Sequence, residues 1–363
     1  MLISFTSKLS IALIAVISVF NPKHVIGQPT VIAYYYGGPE TVDSFPAEKL
    51  THIIHSFSLL KGNKIDVPTN QDSLTIKKMV ALKKRNPSLK VLLAFGGWGG
   101  CETCSDVFSK KEDREAFARS AKGMISYFNA DGIDLDWEFP ALPGIEGHGH
   151  KPADKQNFTL LVQELRKVLG TKKEISFAAG GFKWTLNQSI EWNLVMPLVD
   201  RVNLMSYDFT RSKTGHNTAL YSTTEQASSA DYFIKHLYTL GVPANKIVLG
   251  AAFYAVKLDS VAAENNGLYQ AGKPAKAVAF KDLDSKAPEA NGYKRFWDTT
   301  AKAPYIYNER SQEFLSYDDE RSVYLKMQYV IDHQLNGIMF WQLTQDKYKG
   351  GLLEAIYKKK LGQ

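Results

Sequence analysis

The sequence predicts an α/β fold, a (β/α)8 TIM barrel with a small α+β insertion after its seventh strand. Short apolar runs of strand length alternate with stretches of helical periodicity, the pattern of a parallel sheet with crossover helices. Eight such runs fall within 363 residues, the count and size of a closed barrel. One interval of about sixty residues is too long for a single helix and too long for a bare loop in a compact domain.

Taken in order, residues 1–27 are expected to be an address rather than a structural element. Lys8 precedes an apolar run from Leu9 to Phe20, shorter than a bilayer span, and Gly27 follows Val25 at a spacing that signal peptidase tolerates. A secretory signal peptide is expected, with Gln28 as the mature N-terminus and an extracellular or periplasmic destination. The predicted strands are Val31–Tyr35, His52–Leu59, Lys90–Phe95, Gly132–Trp137, Glu174–Ala179, Arg201–Tyr207, Ile247–Tyr254 and Gly337–Trp341. Amphipathic spacing over Glu112–Asn129 and Lys155–Leu169 predicts two of the crossover helices. Residues 28–255 then carry strands one to seven and 256–315 the insertion. Residues 316–363 carry a helix starting near Asp318, strand eight and a C-terminal helix.

Composition excludes some classes. Lys and Arg outnumber Asp and Glu by 44 to 37, a net charge of +7, yet the basic residues are scattered apart from Lys358–Lys360. No stripe suits a nucleic-acid groove, and no later stretch suits a membrane, so neither partner is expected. Aromatic residues are frequent, which fits an aromatic core and a sugar-stacking cleft equally. The two cysteines, Cys101 and Cys104, cannot supply four zinc ligands by themselves. They follow Gly96-Gly97-Trp98-Gly99-Gly100, and the expectation is a local loop disulfide in an oxidising compartment.

The segment richest in chemistry is Asp131-Gly132-Ile133-Asp134-Leu135-Asp136-Trp137-Glu138-Phe139-Pro140. Alternate side chains of a strand share a face, so Asp134, Asp136 and Glu138 point one way and Ile133, Leu135 and Trp137 the other. Bare alternation of this kind also suits an edge strand with one solvated acidic face. A fourth strand of eight in a closed barrel has no edge, however. Carboxylates stacked inside a barrel are costly unless they share protons or find partners, and such clusters concentrate at functional sites. Like charges so placed raise at least one pKa, so the row should keep a proton near neutral pH as a coupled set. Glu138, nearest the C-terminal mouth, is best placed to donate it. The row leaves no obvious carboxylate across the cleft to act as a nucleophile.

This segment resembles the Asp-x-x-Asp-x-Asp-x-Glu signature of glycoside hydrolase family 18, the family of chitinases. Gly96-Gly97-Trp98 resembles the family's Ser-x-Gly-Gly motif, Met205-Ser206-Tyr207-Asp208 its Met-x-Tyr-Asp motif, and Gly337-Ile338-Met339-Phe340-Trp341 its tryptophan floor. Gly267-Leu268-Tyr269 and Ser316-Tyr317-Asp318-Asp319 are similar to the insertion and following helix of chitinase-type members.

The resemblance implies hydrolysis of chitin or N-acetylglucosamine oligosaccharides by a monomer that needs no metal or organic cofactor. It implies a retaining mechanism in which the substrate's acetamido oxygen is the nucleophile, an exception to the two-carboxylate scheme. Glu138 would be the proton donor, Asp136 would orient the acetamido group with Asp134 as its buried partner, and Tyr207 would hydrogen-bond the acetamido oxygen. Trp341 would floor the −1 sugar, Asp208 would contact it, and Trp98 would stack at +1. Gly97, Tyr34, Phe57 and Phe139 match wall positions, and Asp131 and Gly132 match structural ones. Met205 suits barrel packing and substrate contact equally.

Three departures stand out: Ala94 where the family has serine, Thr210-Arg211 where many members have His-Gly, and Ala255 where many have glycine. Two rivals share the strands, a chitin-binding lectin and an endo-β-N-acetylglucosaminidase acting on N-glycans. Lectins of this type typically lose the terminal glutamate, which is present here. The insertion argues against the second rival, because that wall deepens a groove for a linear polymer.

Overall fold

The computed structural model describes residues 28–363; the expected signal peptide lies outside them. Eight strands form the barrel: β1 Thr30–Tyr35, β2 His52–Lys61, β3 Lys90–Gly96, β4 Gly132–Asp136, β5 Glu174–Gly180, β6 Arg201–Met205, β7 Ile247–Ala252 and β8 Gly337–Trp341. Each pairs in parallel with the next, and β1 pairs with both β2 and β8, which closes the cylinder.

Alternation on the strands sorts the side chains into two cores. Outward residues such as Val31, Leu93, Ile133, Leu135 and Phe340 pack against the helices in one large cluster. Inward residues form a second, smaller cluster that includes Ile32, Ile54, Leu92, Ala94, Val248 and Met339. Closure leaves no edge strand, so the acidic face of β4 can only point into the interior.

The helices follow their local signals. Lys111–Phe128 ends on Asn129 at φ 56°, a left-handed cap that asparagine tolerates. Asp154–Leu169 packs against it. Glu320–Asp332 begins with a capping box in which Asp319 accepts from the Ser322 N–H and Ser322 accepts from the Asp319 N–H. The first crossover departs from the ideal unit: the 3-10 turns Pro39–Ser44 and Ala47–Lys49 replace an α-helix.

Strand ends differ from the sequence expectation where the chain leaves the barrel. β4 stops at Asp136 and β6 at Met205, so Glu138 and Tyr207 sit just beyond the last ladder bonds. The run expected as one strand over Ile247–Tyr254 divides at Phe253, whose N–H donates to the Trp341 carbonyl at 2.8 Å. Tyr254 then opens a second, antiparallel sheet, in which Glu313–Ser316 lies between Tyr254–Asp259 and Ala303–Asn308 with Lys294–Asp298 at one edge. That sheet has its own core of Leu258, Leu268, Tyr307 and Phe314.

A buried ion pair joins the helix Glu320–Asp332 to the barrel. Lys326 and Asp318 are both fully buried, with Nζ 2.6 Å from Oδ2. The Asp318 carboxylate also accepts from the Ala252 N–H at 3.0 Å and the Ser322 hydroxyl at 2.6 Å, and Lys326 donates to Thr218. Removing one member strands the other charge in the core. Lys326→Met should lower the unfolding free energy by about 3–5 kcal/mol in urea titrations. An unchanged midpoint would show that the pair carries no stability.

Candidate active site

The C-terminal mouth of the barrel opens into a cavity of about 430 Å³. Its base is built on β4. Asp134 is fully buried beneath the cavity and accepts three hydrogen bonds from three other strands. Tyr34 Oη on β1 donates to Oδ2 at 2.7 Å, while Ser176 Oγ on β5 and Asn203 Nδ2 on β6 donate to Oδ1 at 2.5 and 3.0 Å. Asn203 Nδ2 also donates to Tyr34 Oη at 2.9 Å. Burial pushes the Asp134 pKa up, and these donors pull against it.

Asp136 sits one step nearer the mouth, 5% exposed, and its Oδ1 has no hydrogen-bond partner. Burial, then the charges of Glu138 and Asp134, hold its pKa well above the usual carboxylate range. Glu138 lines the cavity, and burial followed by the charge of Asp208 pushes its pKa up to about 8. Glu138 is thus poised to hold its proton near neutral pH, and burial and the neighbouring charges favour the protonated form of Asp136.

Residues just past β6 supply the facing wall. Tyr207 is 7% exposed and edge-on to Tyr254, ring centroids 6.3 Å apart. Asp208 adopts φ 61°, its N–H donates to Asn217 Oδ1 at 3.1 Å, and its carboxyl accepts from Tyr254 Oη. Burial raises the Asp208 pKa, and the Tyr254 hydrogen bond and Arg211 pull it back. The expectation of no carboxylate across from the acidic row needs correction, because Asp208 lines the same cavity. Spacing within the β4 segment could not reveal it, since Asp208 comes to the cavity on β6, which is joined to β4 only through β5.

Aromatic rings complete the walls. Trp341 at the end of β8 stacks on Phe57 with centroids 5.6 Å apart and planes at 20°, with Tyr34 6.0 Å away. Trp98 is 46% exposed and stands edge-on to Phe139 at 6.5 Å. Met205 also lines the cavity. Gly97 does not line it; at φ 82° a Cβ there would lie 2.6 Å from the Phe57 ring, so glycine lets the two loops meet. Cys101 and Cys104 are disulfide-bonded and close the loop that carries Trp98.

Asp131 and Gly132 lie at the far end of β4. Asp131 Oδ2 accepts from the Val91 N–H at 2.7 Å and pairs with Lys83 at 2.6 Å. A Cβ on Gly132 would meet the Glu174 carbonyl at 2.1 Å. Both anchor the strand away from the cavity.

Sequence reasoning missed Ser176, Asn203, Tyr254, Phe182 and Arg211. Ser176 and Asn203 are inward positions of their strands, so register with Asp134 is the signal that would have found them. Arg211 lines the cavity at one of the departures from the family pattern, and nothing local in the sequence marks it. The second sheet contributes Tyr254 and Ala277 to the cavity lining.

Carboxyls gathered at the C-terminal mouth of a parallel barrel are the layout of a barrel enzyme. Residues 31–346 match the family model described as glycosyl hydrolases family 18, and the chain belongs to that family. It is 36% identical over 301 residues to chitinase A1 of Niallia circulans, covering 76% of this chain and 43% of that protein. Its structure resembles the cell-surface multi-modular chitinase ChiW of a Paenibacillus strain, with TM-score 0.85, 32% identity and coverage of 92% of this chain and 43% of that one. It also resembles a family 18 N-acetylglucosaminidase of Paenibacillus barengoltzii, with TM-score 0.82, 34% identity and coverage of 91% and 99%. The chain thus spans less than half of the first two relatives and nearly all of the third.

The pairing of Glu138 with Asp208 is open to direct measurement. The Glu138 carboxyl should titrate near pH 8 in carbon NMR of glutamate-labelled protein. Asp208→Asn, which removes a neighbouring negative charge, should move that titration to lower pH. An unmoved titration would remove Asp208 as a cause.

Proposed function

We propose that this chain is a secreted chitinase that hydrolyses β-1,4 bonds of N-acetylglucosamine polymers with Glu138 as the acid. The observation that carries the reading is the placement of Glu138: a carboxyl whose pKa is pushed up to about 8, lining the cavity, with the buried carboxyl of Asp136 beneath it on the same face of the chain. An acid matched to neutral solution is what protonation of a glycosidic oxygen requires. In the first step the Glu138 proton passes to the leaving-group oxygen as the C1–O bond breaks. The substrate's acetamido oxygen forms the new bond to C1, giving an oxazolinium ion. Asp136 orients the acetamido N–H and Tyr207 donates to its oxygen as charge develops. Water then attacks C1 as the bond from C1 to the acetamido oxygen breaks and the acetamido group is restored; the ionised Glu138 takes the water's proton, and the acid is regenerated.

Trp341 offers a flat apolar floor for the −1 ring, and Trp98 an exposed face for +1. Asp208 is the competing candidate nucleophile. Its carboxyl is held by Tyr254 and its pKa is raised by burial, both of which weaken a nucleophilic carboxylate. Substrate assistance is therefore the favoured reading. The intact Glu138 argues against a lectin. The loop disulfide supports an oxidising compartment, in keeping with the signal-like N-terminus.

The likeness to a family 18 N-acetylglucosaminidase along nearly its whole length favours a second reading of the product, release of single sugars. The products formed from an N-acetylglucosamine hexamer decide between single residues and longer fragments.

Glu138→Gln should reduce turnover of an unactivated chitin oligomer by roughly two to four orders of magnitude while binding persists. Near-normal turnover would remove Glu138 from the mechanism. Tyr207→Phe should lower kcat more than it raises KM, because its hydrogen bond strengthens as the oxazolinium forms. A fully deacetylated oligomer should not be cut. Its cleavage, or a trapped ester on Asp208, would replace substrate assistance with an enzymic nucleophile.

A further inference from the structure

Asp134 has one inward neighbour on each side in the barrel register, Ala94 on β3 and Ser176 on β5. Ala94 presents only a methyl group to the interior, fully buried in the apolar cluster. Ser176, equally buried, places its hydroxyl 2.5 Å from Asp134 Oδ1. The hydrogens available there can be counted. Asn203 Nδ2 has two, one for Asp134 Oδ1 and one for Tyr34 Oη. Tyr34, having accepted from Asn203, directs its single hydrogen to Asp134 Oδ2. Ser176 supplies the third donor. In this arrangement every bond to Asp134 ends on a carboxylate oxygen as acceptor, and none needs a proton on Asp134 itself.

Asp136 differs sharply. It is almost as buried, yet its Oδ1 has no partner. Donors have been concentrated on the lower carboxyl of the row and withheld from the one above. We infer that Ser176 is a positioning residue whose hydroxyl, together with Asn203 and Tyr34, holds Asp134 as the proton-free acceptor of the row, so that the retained protons reside on Asp136 and Glu138 above it. This rests on the reading of Glu138 as the acid and adds which member of the buried pair beneath it, Asp134 or Asp136, carries the proton.

The other groups facing Asp134 agree with this assignment. Tyr34 from β1 is neutral, and burial holds its pKa well above the ordinary tyrosine value. Arg201 on β6 is a cation whose charge favours the ionised form of Asp134. On its own strand Asp136 is favoured in its protonated form by burial, by Glu138 and by the charge of Asp134 itself. Tyr207, just past β6, is kept neutral by burial and then by the surrounding carboxyls, Asp134 among them. Below Asp134, Arg201 is paired at 2.8 Å with Glu174 on β5, which also meets the buried His52 of β2 at 3.0 Å, and burial lowers the His52 pKa. The other inward residues of β2, β3, β7 and β8, Ile54, Leu92, Ala94, Val248 and Met339, do not titrate.

The test is Ser176→Ala, alone and with Ala94→Ser, which offers a hydroxyl from the opposite flank of Asp134. Losing a donor to the carboxylate raises the Asp134 pKa, so protonation of Asp134 competes from a higher pH. The acid limb of kcat/KM for chitin oligomers should move up by about one pH unit. At the optimum kcat should fall roughly ten- to hundredfold with KM little changed. Adding Ala94→Ser should return both the limb and part of kcat, which no merely structural loss would do. Should Ser176→Ala fail to fold, Ser176→Cys keeps the volume with a weak donor and should show the same shift in smaller measure. An acid limb that stays in place in the folded variants, or a double variant no better than Ser176→Ala, overturns the inference. An active Glu138→Gln enzyme would instead defeat the functional reading on which it rests.

Discussion

Asp134 sits fully buried at the centre of a ring of strands, joined by hydrogen bonds to β1, β5 and β6. A carboxylate in such a place is tolerable only if its lone pairs are answered, because the desolvation cost of an unpaired ion would be prohibitive. Meeting that demand fixes four strands relative to one another at the level just below the cavity floor. The same satisfaction passes the electrostatic problem upward. With donors spent on Asp134, Asp136 lies buried without a partner for one oxygen, and its pKa is held well above the usual carboxylate range. The Glu138 pKa is raised mainly by its own burial and then by Asp208. One interaction thus ties the geometry of the barrel to the protonation state of its mouth.

Around this row the chain keeps structural polarity and functional polarity apart. The Lys326–Asp318 pair, as deeply buried as Asp134, joins a helix to the end of β7 and takes no part in lining the cavity. Asp131 and Gly132 secure the opposite end of β4, where close packing against Glu174 leaves no room for a side chain. The loops carrying Trp98 and Phe57 meet at Gly97, and a disulfide closes the turn that follows Trp98, whose indole is exposed at the cavity wall.

The cavity is more enclosed by charge than a single acidic strand would make it. Asp208 faces the row and raises the Glu138 pKa, and Arg211 reaches the same lining and moderates Asp208. A guanidinium at a position where many family members carry glycine gives this cleft a feature of its own. Tyr254 links the two parts of the chain, since it opens the second sheet and holds Asp208 through its hydroxyl.

Period-two alternation alone was enough to assign the faces of β4, because Ile133, Leu135 and Trp137 need an apolar neighbour and three carboxylates do not. Alternating runs likewise announced eight strands, and the over-long interval announced extra structure before β8. These are local signals, carried by residues one or two apart. Strand ends were misjudged at Tyr207 and Tyr254, where the local pattern continues but the ladder partner does not. Ser176, Asn203 and Asp208 are far from β4 in sequence, and only the parallel pairing of β4 with β5 and of β5 with β6 brings them to it. Which carboxyl keeps a proton is likewise decided in three dimensions, because a pKa depends on burial and on donors from other strands. The residues of the row were therefore legible in the chain, while their division into one acceptor and two proton holders belongs to the tertiary structure.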